Sequence, residues 1–225
     1  MSVATGVNVR LMNAKVVCRI RPLSKNDLDS GGHCCLDYTT KCIEVFTPSG
    51  QYPFYCDHTF DELSSQLEIF NHCAQPLALD ALSGVNSTVI AYGQTGSGKT
   101  YTIEGYSDDP LKLGIIPRTI SFLLDAAEER SLTTKYTFAV SYIQIYNEKL
   151  KDLLTPEIAP IAGQERNVKI IGEKVCVKTI SSYDQFMMYW TSGTLKSHHA
   201  KDCQSIIQST YPRTHCSTDF LKNNP

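Results

Sequence analysis

Eight consecutive residues of this sequence have the types and the spacing of a phosphate-binding loop. They are Gly93, Gln94, Thr95, Gly96, Ser97, Gly98, Lys99 and Thr100, and they fit the pattern G-x-x-x-x-G-K-[ST] at every fixed position. The three glycines let the backbone wrap closely around phosphate groups with its N–H groups pointing inwards. The lysine can reach the β- and γ-phosphates, and the final threonine offers a hydroxyl group to Mg²⁺. The sequence therefore predicts the binding of a nucleoside triphosphate.

Such a loop needs a strand before it and a helix after it. Residues 87–92 read Ser-Thr-Val-Ile-Ala-Tyr, which predicts a fully buried strand between Asn86 and Gly93. We expect a helix after Thr100, whose N-terminus would add partial positive charge at the phosphates. A glycine-rich turn that matches by chance is the alternative, and the strand–loop–helix context argues against it. The loop alone does not select ATP over GTP, or a motor over a kinase.

The rest of the chain alternates strand patterns with helix patterns. Strands are predicted at 15–23, at 43–46, at 52–55, at 136–146 and, as a pair around Gly172, within 168–180. Helices are predicted at 65–82 with a break or kink at Pro76, at 117–130, at 147–154 and from 184 to 190 after a Ser182 cap. A loop rich in proline and glycine is predicted at 155–166. The alternation predicts an α/β fold.

Composition excludes several classes of protein. The chain has 225 residues, of which 42% are hydrophobic and 20% charged, and this balance is typical of a globular protein and not of a disordered chain or a coiled coil. The net charge of -2 gives no reason to expect nucleic acid as a partner. The sequence has no run of 18 apolar residues and no signal-peptide pattern. We therefore expect no membrane span, and we interpret the nine cysteines as reduced cytoplasmic thiols.

Beyond the loop, five segments together resemble the kinesin motor domain family. Their order and spacing also match that family, and the resemblance covers about residues 13–190. The segments are Val17–Leu23, Phe60–Phe70, Asn86–Thr102, Gly114–Arg118 and Ser141–Leu154. The resemblance implies a P-loop NTPase-like α/β fold, with a mixed central sheet flanked by helices that is incomplete in this chain. It also divides the chain into a kinesin-like motor part at 13–190 and a divergent tail at 191–225.

The resemblance also implies a function and its residues. It implies an ATP-driven microtubule motor domain of the cytoplasm and cytoskeleton, with ATP and Mg²⁺ as cofactors. Lys99 and Thr100 would take the catalytic positions, and Thr100 would bind the Mg²⁺ ion. The adenine would lie between Pro22 and Tyr101, with Arg19 and Arg21 nearby. A flat base on a tyrosine ring beside a guanidinium group is physically sensible.

Two motifs that kinesin catalysis requires depart from the family pattern. The sequence has no D-x-A-G after the loop, and the nearest candidate for N-x-x-S-S-R-S-H lies at 208–215, where Tyr211 and Pro212 replace the paired serines. Whether this chain hydrolyses ATP therefore stays open. Three interpretations follow: a truncated or mis-spliced gene product whose tail is not native, a non-motile ATP-binding scaffold or regulator, and a working but divergent motor. The family's domain is expected to continue beyond residue 225.

Overall fold

A computed structural model gives the positions of residues 14–146, 149–154 and 176–198. The chain divides into two compact units, of which unit 1 is Met1–Ser64 and unit 2 is Ser65–Pro225. Both contain strands and helices, as the predicted α/β class requires. None of the helices in the described ranges is long and apolar enough to cross a membrane.

Unit 1 is built from two small sheets and one short helix. Its elements are β1 (Val17–Arg19), α1 (Lys25–Asp29), β2 (Leu36–Tyr38), β3 (Cys42–Thr47), β4 (Gly50–Tyr55) and β5 (His58–Phe60). β1 and β5 form a parallel pair, and β2, β3 and β4 form an antiparallel sheet in that order. The predicted strands at 15–23, 43–46 and 52–55 are confirmed as β1, β3 and β4, although β1 is shorter than predicted.

Unit 2 holds the loop at 93–100 and most of the helices. Its elements are α2 (Gln66–Ile69), a π-helical turn (Phe70–Ala74), α3 (Gln75–Leu82), α4 (Lys99–Ile103), a 3₁₀ turn (Pro110–Lys112), α5 (Ile115–Glu129), β6 (Phe138–Val140), β7 (Ile143–Tyr146), β8 (Lys149–Asp152), β9 (Lys178–Ile180) and α6 (Tyr183–His198). β6 pairs with β9 and β7 with β8, both antiparallel.

The helix predicted at 65–82 is confirmed, with one irregularity at its centre. Ser65 caps its start by accepting a hydrogen bond from the Glu68 amide, whose side chain bonds back to the Ser65 backbone. The Gln75 amide donates to the Phe70 carbonyl five residues earlier, which makes the segment between them π-helical. Pro76 has no N–H group to continue the regular ladder, so the irregularity lies where the sequence predicted a break.

The apolar face of α5 forms the centre of the core of unit 2. Ile120 and Leu123 are buried on this face, and Leu123 is only 1% exposed. The Phe122 ring meets the Phe70 ring of the π-helical turn edge to face, with centroids 6.1 Å apart. Phe186 of α6 is fully buried in the same unit. The helix predicted at 117–130 is thus confirmed, and it begins two residues earlier.

The prediction of a buried strand at 87–92 is wrong. These residues form no strand, and Ile90 and Tyr92 are 80% and 98% exposed. A strand is stabilised by the ladder it shares with a neighbour, and no strand in the described part of the chain pairs with this segment. High β-propensity alone therefore does not make these residues a strand.

Two predictions around residue 147 are also wrong. The single strand at 136–146 is divided into β6 and β7, which belong to different sheets. The helix at 147–154 is replaced by β8, in which Lys149 lies opposite Tyr146 and Asp152 lies opposite Ile143. Pairing with β7 overrides the local helical preference of this segment. Leu153, directly after β8, is 1% exposed.

The remaining predictions have mixed outcomes. The second strand predicted within 168–180 is confirmed as β9, whereas the first strand and the loop at 155–166 lie outside the described residues. The helix predicted from 184 to 190 is confirmed as α6 and continues to residue 198. It therefore extends into the segment whose composition differs from the rest of the chain.

The substitution Gly193→Ala tests the packing of α6. A Cβ atom at this position would overlap the Tyr142 ring, which stacks on Trp190 at 4.8 Å. Alanine normally stabilises a helix interior relative to glycine, but here we expect the overlap to lower the free energy of unfolding by about 1–3 kcal/mol. Urea denaturation measures the change, and Ser192→Ala on the exposed neighbouring position is the control. A more stable Gly193→Ala protein would contradict this packing.

Candidate nucleotide-binding site

The loop at 93–100 has a backbone that only glycine adopts readily at three positions. Gly93, Gly96 and Gly98 have φ angles of 151°, 79° and 96°. A Cβ atom on Gly93 would also lie 2.5 Å from the Ser97 hydroxyl oxygen. The glycine spacing of the motif therefore corresponds to a physical requirement of this loop conformation.

Several amides of the loop are available to an anion. Among the residues that the structure describes, the amides of Gly96, Gly98, Lys99 and Thr100 donate to no other protein group. The amides of Lys99 and Thr100 belong to the first turn of α4, where intrahelical partners do not exist. Available N–H groups in a glycine-rich loop and at a helix start are the kind of groups that bind a phosphate.

Lys99 forms hydrogen bonds with other residues of the loop at 93–100, the loop that is predicted to bind the ligand. Its ammonium group donates to the carbonyl oxygens of Gly93 and Gln94, each at 2.7 Å. The Lys99 side chain is half-buried, and its two hydrogen bonds keep its positive charge next to the loop. Thr100, the predicted Mg²⁺ ligand, is exposed. The amides, the lysine and the threonine are therefore brought together by the structure as the sequence predicted, and their roles stay predictions.

A magnesium–triphosphate complex fits these residues. No group of three or more His, Cys, Asp or Glu side chains suited to a metal ion occurs among the described residues. Mg²⁺ in phosphate sites is held mainly by the phosphates and water, with only one or two protein oxygens. A single hydroxyl group such as that of Thr100 is therefore enough. Gln94 and Thr95 lie exposed at the tip of the loop and contribute no described side-chain contact.

The helix after the loop is anchored by a buried amide side chain. Gln66 is 3% exposed, and its Nε2 atom donates to the carbonyl oxygens of Tyr101 at 2.6 Å and Lys112 at 3.2 Å. It therefore links the start of α2 to α4 and to the 3₁₀ turn. Just beyond α4, the Gly114 amide donates to the Glu104 carbonyl at 2.9 Å.

The residues predicted to hold the adenine lie in both units. Tyr101 belongs to unit 2, where its ring contacts the Tyr106 ring at a centroid distance of 5.4 Å. Pro22, in unit 1, is exposed, and Arg19 donates to the Ser64 carbonyl at the long distance of 3.5 Å. Because the two sides of the predicted adenine contact belong to separate units, that contact stays a prediction.

Arg21 already has a partner within unit 1. Its guanidinium group forms an ion pair with Asp27 at 2.7 Å. Hydrogen bonds from Ser24, followed by that from Arg21, hold the pKa of the Asp27 carboxyl below its usual value. The carboxylate also closes the capping box of α1 with Ser24. Arg21 therefore stabilises the start of α1, a contact that the sequence analysis did not predict.

Comparison with known proteins decides the family. The family model for the kinesin motor domain matches residues 19–216. The chain belongs to the kinesin motor domain family. The kinesin fold is also found in a solved structure described as that of a fast kinesin, with a TM-score of 0.73 and 33% identity. That comparison covers 84% of this chain and 54% of the other.

Curated relatives are much longer than this chain. Human kinesin-1 heavy chain is 32% identical over 189 residues, which are 84% of this chain and 19% of the relative. Kinesin-like protein 3 of Schizosaccharomyces pombe is 40% identical over 148 residues, covering 64% of this chain and 26% of the relative. The chain thus spans about a fifth to a quarter of these kinesins.

Gln66 is the positioning residue that the sequence analysis missed. It was noted only as part of a family segment, although a signal was present. Gln66 shares one helical stripe with Phe70, Cys73 and Leu77, at the spacing i, i+4, i+7 and i+11. A polar residue on an apolar stripe indicates a buried hydrogen-bonding role.

The substitution Gln66→Leu tests this anchor. It removes both donated hydrogen bonds at a buried position, so we expect the free energy of unfolding to fall by about 1–3 kcal/mol. Gln75→Leu is the matched control, because Gln75 is half-buried on the same helix and forms no described side-chain hydrogen bond. Chemical denaturation of both variants gives the comparison. Equal stability of the two variants would contradict an anchoring role.

Proposed function

We propose that this chain is the ATP-binding portion of a kinesin that moves on microtubules. The observation that carries the proposal is the loop at 93–100, which combines positive-φ glycines, available amides and the ammonium group of Lys99, bonded to two carbonyl oxygens of the same loop. A phosphate chain that enters this loop meets N–H donors on several sides and one full positive charge. These are the groups that stabilise a bound triphosphate.

Each residue of the site has a distinct role in this proposal. Lys99 exchanges its two carbonyl acceptors for β- and γ-phosphate oxygens, which carry full negative charge and accept stronger hydrogen bonds. Thr100 would supply a hydroxyl oxygen to Mg²⁺, which when bound would supply positive charge at the phosphates. The kinesin resemblance implies that Pro22 and Tyr101 would contact the adenine, with Arg19 and Arg21 nearby. The preference for ATP rests on the kinesin family.

We propose movement on microtubules because the proteins that this chain resembles are kinesins. The matched proteins are named as kinesins, and the solved fast kinesin is described by its ATPase mechanism and its interactions with microtubules. We therefore propose a place on the cytoskeleton for the whole protein, with tubulin as its partner. The comparisons do not favour the alternative of a non-motile ATP-binding scaffold.

The substitution Lys99→Ala tests the nucleotide site. It removes the one charged group of the loop, and we expect the affinity for Mg²⁺-ATP to fall by roughly 100-fold, the loss that two charge-assisted hydrogen bonds represent. Isothermal titration calorimetry measures the affinity. Lys135→Ala, at an exposed position of unit 2, is the matched control. Equal affinities of the two variants would contradict the assignment of Lys99.

The same proteins test the motor function. We expect phosphate release from ATP to rise when microtubules are added, and to be lost in Lys99→Ala but not in Lys135→Ala. A sample that unfolds cooperatively and binds ATP, yet shows no turnover above background, would contradict the motor function and leave the nucleotide site intact.

A further inference from the structure

Two cysteine side chains meet beside the parallel strands of unit 1. Cys18 lies on β1 opposite Thr59 of β5, and paired residues of adjacent strands project from the same face of a sheet. The Cys56 sulfur lies 3.2 Å from the Thr59 hydroxyl oxygen, so the side chains of both cysteines lie beside Thr59. We call these three side chains the thiol cluster.

The backbone holds the two cysteines in this arrangement. The Asp57 amide donates to the Val16 carbonyl at 2.8 Å, and the Val16 amide donates to the Asp57 carboxylate at 2.7 Å. These bonds lie one residue from Cys56 and two residues from Cys18. These bonds hold the backbone segments that carry the two cysteines against each other, and a disulfide forms only between cysteines that approach closely.

Both thiols are half-buried, so small molecules have access to them. Burial, followed by the neighbouring Cys56 thiol, raises the pKa of Cys18, which keeps Cys18 protonated. The thiolate is the reacting form of cysteine.

We propose that Cys18 and Cys56 form a redox-active pair, which a low-molecular-weight disulfide of the oxidised-glutathione type converts into an intramolecular disulfide. The thiolate of one cysteine of the pair attacks one sulfur of the small disulfide, forms a mixed disulfide and releases one small thiolate. The thiol of the other cysteine then loses its proton to solvent, and its sulfur attacks the protein sulfur of the mixed disulfide and releases the second small thiolate. Two protein thiols are oxidised, and one small disulfide is reduced to two thiols.

The new bond closes a loop that contains the whole three-stranded sheet of unit 1. β2, β3 and β4 all lie between Cys18 and Cys56 in the sequence. The disulfide therefore ties both ends of this segment together at β1 and β5, which restricts the unfolded chain. This inference concerns unit 1 and does not depend on the proposed nucleotide site in unit 2.

Peptide mapping of the oxidised chain tests the proposal. The full chain is treated with oxidised glutathione and digested with trypsin and chymotrypsin without reduction. We expect a dominant product that joins Val16–Arg19 to Cys56–Phe60, lacks two hydrogen atoms and disappears on reduction. A different dominant pair, such as one that includes Cys34 or Cys35, would overturn the proposal. A mixed disulfide that stays on Cys56 without cross-linking would overturn it as well.

Two variants separate this pair from the neighbouring cysteine. Cys56→Ser should abolish the cross-link completely. Cys42→Ser is the matched control. It should leave the cross-link unchanged, because Cys42 lies on β3 opposite Tyr55, the residue before Cys56, and is not part of the proposed pair. If Cys56→Ser fails to fold, the map of the unmodified sequence still decides the question. Loss of the Val16–Arg19 product in Cys42→Ser would overturn the assignment.

Discussion

Burial of one face of α5 is the interaction on which unit 2 depends. Leu123 and its apolar neighbours on this face lie in the core, and Phe122 meets Phe70 of the π-helical turn. The helix begins just after Gly114, whose amide bonds to the Glu104 carbonyl at the end of α4. A Cβ atom on Gly114 would lie 2.5 Å from the Ile103 carbonyl oxygen, so the two segments are in close contact. Apolar packing thus fixes the helix that follows the loop at 93–100.

Electrostatics decides what this anchored loop can bind. The Lys99 ammonium group bonds to two neutral carbonyl oxygens, and a triphosphate offers anionic oxygens in their place. The amides at the start of α4 favour the same ligand, because a helix N-terminus carries partial positive charge. Gln66 connects these local features to the rest of unit 2 through the Tyr101 carbonyl. The helix α4 has only five residues. Its first amides and Lys99 provide the positive charge, and packing within unit 2 holds the helix in place.

The sequence predicted the parts of this structure that are decided locally. The glycine positions of the loop, the amphipathic α5 and the irregular helix around Pro76 all follow from residue type and spacing. The segment 87–92 was mispredicted because a strand depends on a neighbour that local sequence does not specify. The prediction of a helix at 147–154 was wrong for the converse reason, because residues of this segment pair with β7 and form β8. The spacing of Gln66 on an apolar stripe indicates its burial, but local sequence does not specify its partners, the distant Tyr101 and Lys112 carbonyls.

The central claim is that the backbone of the loop binds the phosphates of ATP. Amide spectra of the chain with ¹⁵N-labelled glycine, recorded during titration with Mg²⁺-ATP, test it most directly. The account predicts saturable shifts of the Gly93, Gly96 and Gly98 signals, while the Gly31 signal in unit 1 and the Gly193 signal in α6 stay in place. Saturable binding that moves other glycine signals and leaves those of the loop unchanged would contradict it.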